Sequence, residues 1–194
     1  MTPALRSAVF LDRDGTMNDD VGYLSELAHL SLYPWTIDAV RLLNRAGYLV
    51  VVVTNQGGIG RGVIRPEFVA EVHDEIARRL ARGGARIDAW YHCPHHPEAM
   101  VEALRTVCRC RKPEPGMVLD AVRDLGIDPT RSWVIGDKWL DVQLGQRVGA
   151  RSILVRTGWG VLEEAARPDG QTVDAVCDTL AGAVALVLHQ DGLG

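Results

Sequence analysis

Two aspartates set two residues apart close an apolar run, Ala8-Val9-Phe10-Leu11-Asp12-Arg13-Asp14-Gly15-Thr16. They are the first side chains along the chain whose types and spacing can do chemistry. An aspartate is ionised at neutral pH and attacks an electrophile without help from a general base. Two carboxylates this close repel each other, so a cation is expected between them. Oxygen donors that leave room for retained waters suit Mg²⁺. Gly15 then lets the backbone turn where other residues resist. An isolated Asp-x-Asp is more often a solvated junction between strand and turn. Three segments downstream argue against that reading here.

The first of them is Val53-Thr54-Asn55-Gln56-Gly57-Gly58-Ile59-Gly60-Arg61-Gly62. A hydroxyl at a strand tip, followed by a glycine-rich loop, offers a side-chain donor and main-chain N–H groups to phosphate oxygens. No Gly-Lys-Ser/Thr follows, so this is not a Walker loop. Next, Cys110-Arg111-Lys112-Pro113-Glu114-Pro115-Gly116 sets two cations before prolines that halt the backbone and then start a helix. Lys112 suits the charge of a transferring phosphoryl group, and Arg111 suits a bidentate grip on a second phosphate. Last, Val134-Ile135-Gly136-Asp137-Lys138-Trp139-Leu140-Asp141 again ends an apolar run on a glycine and an acid. If Asp137 faces Asp12 across a sheet edge, it completes the Mg²⁺ site. Asp141, about one helical turn later, is placed to orient Lys138 or a metal-bound water.

Three of the four cysteines crowd into residues 93–110, as Cys93-Pro94-His95-His96-Pro97 and Cys108-Arg109-Cys110. Cys93, His95, Cys108 and Cys110 make a Cys₃His set suited to tetrahedral Zn²⁺, with His96 as the alternative to His95. Four protein ligands leave no open position, so this zinc reads as a structural clamp on a loop. A Cys108–Cys110 disulfide would be strained. Cys177 lies far off in an apolar run and is expected in the core.

Residues as distant as Asp12 and Asp141 meet only if the elements between them return the chain to one edge. Apolar runs predict strands at Ala8–Leu11, Leu49–Val53, Ala89–His92, Ser132–Ile135, Ser152–Val155 and Ala175–Cys177. Helical patterns fall near 36–46, 66–82, 116–125, 139–149 and 179–189. The alternation predicts an α/β, Rossmann-like three-layer fold with a mostly parallel sheet. Ligands bind such sheets at the carboxyl ends of the strands. At 194 residues a single domain over 1–194 is expected, with the zinc-clamped loop within 93–110. The intervals Asp14–Thr54 and Thr54–Lys112 leave no room for a separate cap domain. His189–Gly194 reads as a frayed tail.

A net charge of −4 argues against a nucleic-acid partner. No apolar run approaches the roughly eighteen residues of a membrane span, and the first residues lack a signal-peptide core. A cytoplasmic monomer acting on a small molecule is expected, with no membrane partner.

In order, Asp12-x-Asp14-Gly15-Thr16, Thr54-Asn55, Lys112-Pro113 and Gly136-Asp137 with Asp141 resemble the motifs of the haloacid-dehalogenase-like phosphohydrolases. The resemblance implies an aspartyl-phosphate intermediate on Asp12, with Asp14 as general acid and base. It implies that Thr54 and Lys112 hold the phosphoryl oxygens, and that Asp12, Asp14 and Asp137 bind Mg²⁺. The cysteine loop, running into Arg111-Lys112-Pro113, is similar to that of the D-glycero-D-manno-heptose 1,7-bisphosphate 7-phosphatases. Histidinol-phosphate phosphatases share a loop of this type, usually with a shorter interval than residues 96–107 here, and are the alternative. The implied substrate is thus a sugar bisphosphate on the way to a nucleotide-activated heptose, a lipopolysaccharide precursor. Its implied contacts are a flap of Asp20, Val21, Gly22 and Tyr23, then Asn55, Gln56, Gly57 and Lys138, with Arg111 on the phosphate that stays.

Overall fold

Strand β1 (Ala8–Leu11) is buried along its whole length, as an unbroken apolar strand covered on both faces must be. The computed structural model describes residues 5–192. Around β1 stand β2 (Leu49–Asn55), β3 (Ala89–Cys93), β4 (Trp133–Gly136), β5 (Arg151–Val155) and β6 (Ala175–Cys177). They form one sheet in the order β3-β2-β1-β4-β5-β6 with every pairing parallel. The helices are α1 (Thr36–Arg45), α2 (Gly57–Gly60), α3 (Pro66–Arg82), α4 (Gly116–Leu125), α5 (Trp139–Val148), α6 (Gly160–Ala165) and α7 (Leu180–Gln190).

The sheet is the middle of three layers. Val50 and Val52 of β2 pack with α1, α3 and α7 through Val40, Leu43, Val72, Ile76 and Val184. Val51 and Val53 face the other way, against Met117, Val118 and Leu144 of α4 and α5. Alternate side chains of one strand thus feed two cores, each fully buried valine contributing about 1.5–3 kcal/mol. The expected α/β three-layer architecture is what forms, and between β1 and β2 the chain holds only a flap, a short 3₁₀ turn and α1.

Strand order places the chemistry. β2 and β3 lie on one side of β1, and β4, β5 and β6 on the other. A parallel sheet opens a crevice at such a reversal, outside the carboxyl ends of the strands. Leu11 is level with Val52 on one side and Ile135 on the other. Asp12 therefore leaves the sheet beside Gly136, its N–H donating to the Ile135 carbonyl at 3.0 Å.

The structure departs from the sequence expectations in several places, among them the unpredicted helix α6 and the extra residue Cys93 on β3. β2 runs on to Asn55, because β3 keeps pairing there through Thr54↔His92 and Asn55↔Cys93. The glycine-rich run after it coils into α2, a four-residue helix too short to leave a periodic pattern. The expected frayed tail is instead tied down. His189 and Gln190 belong to α7, and the Asp191 carboxylate accepts from Trp133 Nε1 at 3.3 Å, from Arg151 at 2.5 Å and from the Tyr48 hydroxyl. Those partners sit at the starts of three different strands, so no local pattern reveals the anchor. Leu193 and Gly194 lie outside the described residues. Cys177 is half-buried at the end of β6 and packs against the larger core. Among the described residues no helix is long and apolar enough to cross a membrane.

Candidate active site

Asp12 follows β1, Asp137 follows β4 and Asp141 lies in the first turn of α5. Their carboxylates are all buried, with oxygens within 4.8 Å of one another. The Lys112 ammonium sits between two of them, 2.8 Å from Asp12 and 2.7 Å from Asp141. Burial works to lower the Lys112 pKa, but Asp12 and Asp141 outweigh it and the net shift is upward. Burial, then the Asp12 charge, pushes Asp137 up to about 8. Burial likewise lifts Asp141, to about 6, against the pull of Lys112. Asp137 Oδ1 is buried with no hydrogen-bond partner. Three buried acids and an orphaned oxygen, with Lys112 between two of them and Lys138 acting from further off, leave a deficit of positive charge that an oxygen-seeking divalent cation fits.

The Asp14 carboxylate points elsewhere. It accepts from Arg13 Nη2 at 2.8 Å and Nε at 3.1 Å, from Asn18 Nδ2 at 2.9 Å and from Gln56 Nε2 at 2.9 Å. Burial raises its pKa, yet Arg13 and these donors prevail and hold the carboxyl below its usual range. Asp14 thus stands outside the carboxylate cluster, and its role as a metal ligand does not follow from its side chain. Gln56, at 4 % exposed, also donates to the Thr54 hydroxyl at 2.9 Å. It braces Thr54 and Asp14 from below the pocket wall. Asn55 clasps the Lys112 main chain, accepting from its N–H at 3.0 Å and donating to its carbonyl at 3.2 Å.

Above these groups opens a cavity of about 440 Å³, within the range of small-molecule sites. Asp12, Asp14, Thr54, Asn55, Gly57, Arg111, Lys112 and Lys138 line it, together with Asp20, Gly22 and Tyr23 of the flap. Val21 does not: it faces a neighbouring cleft with Tyr33 and Leu162. Asp20 holds the flap in place, accepting from the Gly22 N–H at 2.9 Å, from Lys138 Nζ at 3.0 Å and from Trp159 Nε1 at 2.9 Å.

Several residues of the site, or the partners of residues named from it, escape a reading of the sequence. Arg13 and Asn18 fix Asp14 but lie in a segment that looks like mere connection. His96 turns into the cavity, within 3.3 Å of Arg61, instead of joining the cysteines. Asp141 is the second partner of Lys112, and its other oxygen caps α5 by accepting from the Lys138 N–H at 3.2 Å. The loop Thr157-Gly158-Trp159-Gly160 is missed altogether. Its Thr157 hydroxyl donates to the Gly15 carbonyl at 2.6 Å, and its Trp159 N–H donates to Asp137 at 2.8 Å. Gly15 and Gly158 both have positive φ and press against Asp137, where a β-carbon on either would collide with the carboxylate. That glycine pair was the only local signal available.

The second cluster lies beside the cavity. The Cys93, Cys108 and Cys110 sulfurs are 3.1–3.5 Å apart, and His95 Nδ1 is 3.6 Å from Cys93 and 3.3 Å from Cys110. A disulfide needs about 2.05 Å; four ligands near 2.3 Å around one Zn²⁺ stand about this far apart. The donor set is compatible with zinc, and His95 rather than His96 is in it. Burial pushes the Cys93 thiol pKa upward, so the protein alone does not favour a thiolate there. Arg111 is tied to this loop, donating to the His95 carbonyl at 2.9 Å.

A family model described as HAD-hydrolase-like matches residues 109–183. A D-glycero-beta-D-manno-heptose-1,7-bisphosphate 7-phosphatase of Photorhabdus laumondii is 43% identical over 173 residues, 88% of this chain and 92% of that protein. The enzyme of the same name from Escherichia coli is 41% identical, over 88% and 90%. Among solved structures, the D,D-heptose 1,7-bisphosphate phosphatase of B. bronchiseptica, complexed with magnesium and phosphate, superposes with a TM-score of 0.84 at 32% identity. It covers 95% of this chain and 99% of its own.

Proposed function

This chain belongs to the haloacid-dehalogenase-like phosphatases, in the branch of the heptose bisphosphate 7-phosphatases, and we propose that it removes the 7-phosphate of D-glycero-D-manno-heptose 1,7-bisphosphate. It is a phosphoric monoester hydrolase. The product would feed the synthesis of a nucleotide-activated heptose.

Asp12 attacks phosphorus in line with the departing sugar oxygen, and the P–O bond to the sugar breaks as an aspartyl phosphate forms. Asp14, ionised while Arg13 holds it, must leave that ion pair and take up a proton before it can give one to that oxygen. It then takes a proton from the water that hydrolyses the aspartyl phosphate, restoring both acids. The Thr54 hydroxyl and the Lys112 ammonium hold the oxygens that gain charge in the transition state. Lys112 already lies 2.8 Å from Asp12, so its charge is in place before substrate arrives. Asp12 and Asp137 would hold Mg²⁺, which when bound offsets the charge of phosphate beside the buried acids. The Cys₃His set would hold Zn²⁺ as a clamp that keeps Arg111 at the cavity wall.

The observation that carries the substrate reading is Arg111, next in sequence to Lys112, lining the same cavity and tied at its guanidinium to the cysteine loop. It supplies a cation for a phosphate that is not cleaved. A kinetic screen with Mg²⁺ tests this, using both anomers of the heptose bisphosphate and histidinol phosphate. The bisphosphate is expected to lead in kcat/KM. Equal or better turnover of histidinol phosphate would overturn the reading.

A further inference from the structure

Trp159 stands in the cavity wall, and no step proposed for phosphoryl transfer uses its side chain. A tryptophan kept only for packing would be covered, yet this side chain is 50% exposed. It is also held at two points. Its main-chain N–H donates to Asp137 at 2.8 Å, and its indole N–H donates to Asp20 at 2.9 Å. The Lys138 ammonium lies 5.9 Å from the ring centroid, in cation–π range. Trp159 borders both this cavity and the cleft beside it, and with its only side-chain donor already used, what its indole offers is π surface.

An aromatic face flanked by a carboxylate and an ammonium has the chemistry of a sugar site. Ring C–H bonds carry slight positive charge and rest on the negative face of an aromatic, while a sugar hydroxyl finds a donor in Lys138. Tryptophan suits this because it presents a large rigid area with only two side-chain torsions to freeze. Resting on the sugar-bisphosphate reading of the same cavity, we propose that Trp159 is a specificity-determining residue. Its indole is the platform for the sugar ring, latched through Asp20 to the flap. The phosphates at the two ends are then read by other groups: Lys112 and Thr54 at one, Arg111 at the other.

Kinetics and fluorescence together test the platform. Trp159→Ala should raise KM for the heptose bisphosphate about tenfold while kcat changes far less, the pattern of lost uniform binding. Its loss in kcat/KM should exceed the loss for acetyl phosphate, which has no ring, by about fivefold or more. Trp159→Phe keeps an aromatic face and should recover most of the KM. In an Asp12→Asn background with Mg²⁺, heptose bisphosphate should change the tryptophan emission more than inorganic phosphate does. None of Trp35, Trp90, Trp133 and Trp139 lines this cavity, so that sugar-dependent signal should vanish when Trp159→Phe is added. Equal losses on both substrates, no recovery in Trp159→Phe, or a signal that survives it would each overturn the platform. A wild type inert toward heptose bisphosphate would fail the substrate reading and take the platform with it. An active wild type with any of those three results fails the platform alone.

Discussion

Asp12, Asp137 and Asp141 converge within 4.8 Å, and so do Cys93, His95, Cys108 and Cys110, yet the two clusters are built in opposite ways. The acids come from distant parts of the chain. Asp12 and Asp137 leave the ends of two paired central strands, and Lys112 already balances part of their charge. The soft ligands lie within eighteen residues, by the numbering from Cys93 to Cys110. Only Cys93 stands on a strand, β3, at the sheet edge. The loop between carries apolar side chains into solvent, Met100 at 77% and Val107 at 96% exposed. A core can hold strand-borne groups in place against their own repulsion. A loop that buries so little must take its order from the ligand it closes on.

The sharpest way to break that contrast is Asp12→Asn. It should cut turnover of the heptose bisphosphate by at least about 10³-fold, as loss of a nucleophile does, while circular dichroism reports an unchanged fold. A variant keeping a tenth of wild-type kcat would show that another group attacks phosphorus. Cys108→Ser should do the reverse. Loss of bound zinc and a fall in Tm of about 10 °C are expected, about 3–4 kcal/mol at about 2–4 °C per kcal/mol. Acetyl phosphate turnover well below Tm should suffer much less. Metal analysis finding no zinc in carefully purified wild type would remove the clamp from the account.

Arg111 belongs to both regions, because the cysteine loop holds it at the cavity. Arg111→Ala should weaken kcat/KM for the bisphosphate by about 2–3 kcal/mol, the scale of a charge-assisted hydrogen bond left unmade. p-Nitrophenyl phosphate, with no second phosphate, should lose far less. Equal harm to both substrates would place Arg111 in the transition state instead.

The smallest effect concerns acid. His73 of α3 stacks on Trp90 of β3, ring centroids 4.4 Å apart, behind the strand that ends at Cys93. Burial, then the charges of Arg13 and His92, pushes its pKa down to about 3. An unfolded histidine titrates near about 6.5. Between those values the unfolded chain binds a proton that the folded chain refuses. The stabilisation is therefore whole above about pH 6.5 and is lost as pH falls toward about 3. His73→Phe keeps the stack and removes the titration. From about pH 7 to about pH 5 the variant should lose about 2 kcal/mol less stability than wild type. Parallel denaturation curves for the two proteins would show that His73 does not titrate this way.

Where a residue's partners are close in sequence, or its role follows from its own chemistry, the sequence was enough. Strand β1, helix α3 and helix α4 occupy the spans their patterns predict. Apolar runs without alternation, Pro66 at a helix start and Gly126 at a helix end are local signals. Asp12 and Asp137 were legible because each closes or follows a strand, and Lys112 because it stands with a proline just ahead of a helix. Val21 and Gln56 were assigned to the substrate by the family resemblance, and side-chain direction is decided by packing. One faces the next cleft, and the other braces Asp14 and Thr54.

The sequence by itself thus determined the six strands and the five longer helices, the inventory of acids, cations and soft ligands, and the edge at which they gather. Only the tertiary structure decided which of them touch. It gave Lys112 to both Asp12 and Asp141, turned Asp14 away to Arg13, chose His95 over His96 for the cysteines, and brought Trp159 to the flap. Local chain chemistry acts over a few residues, through periodicity, turns and caps. These pairings span up to 139 residues, and what selects among them is the sheet order and the packing of side chains across it.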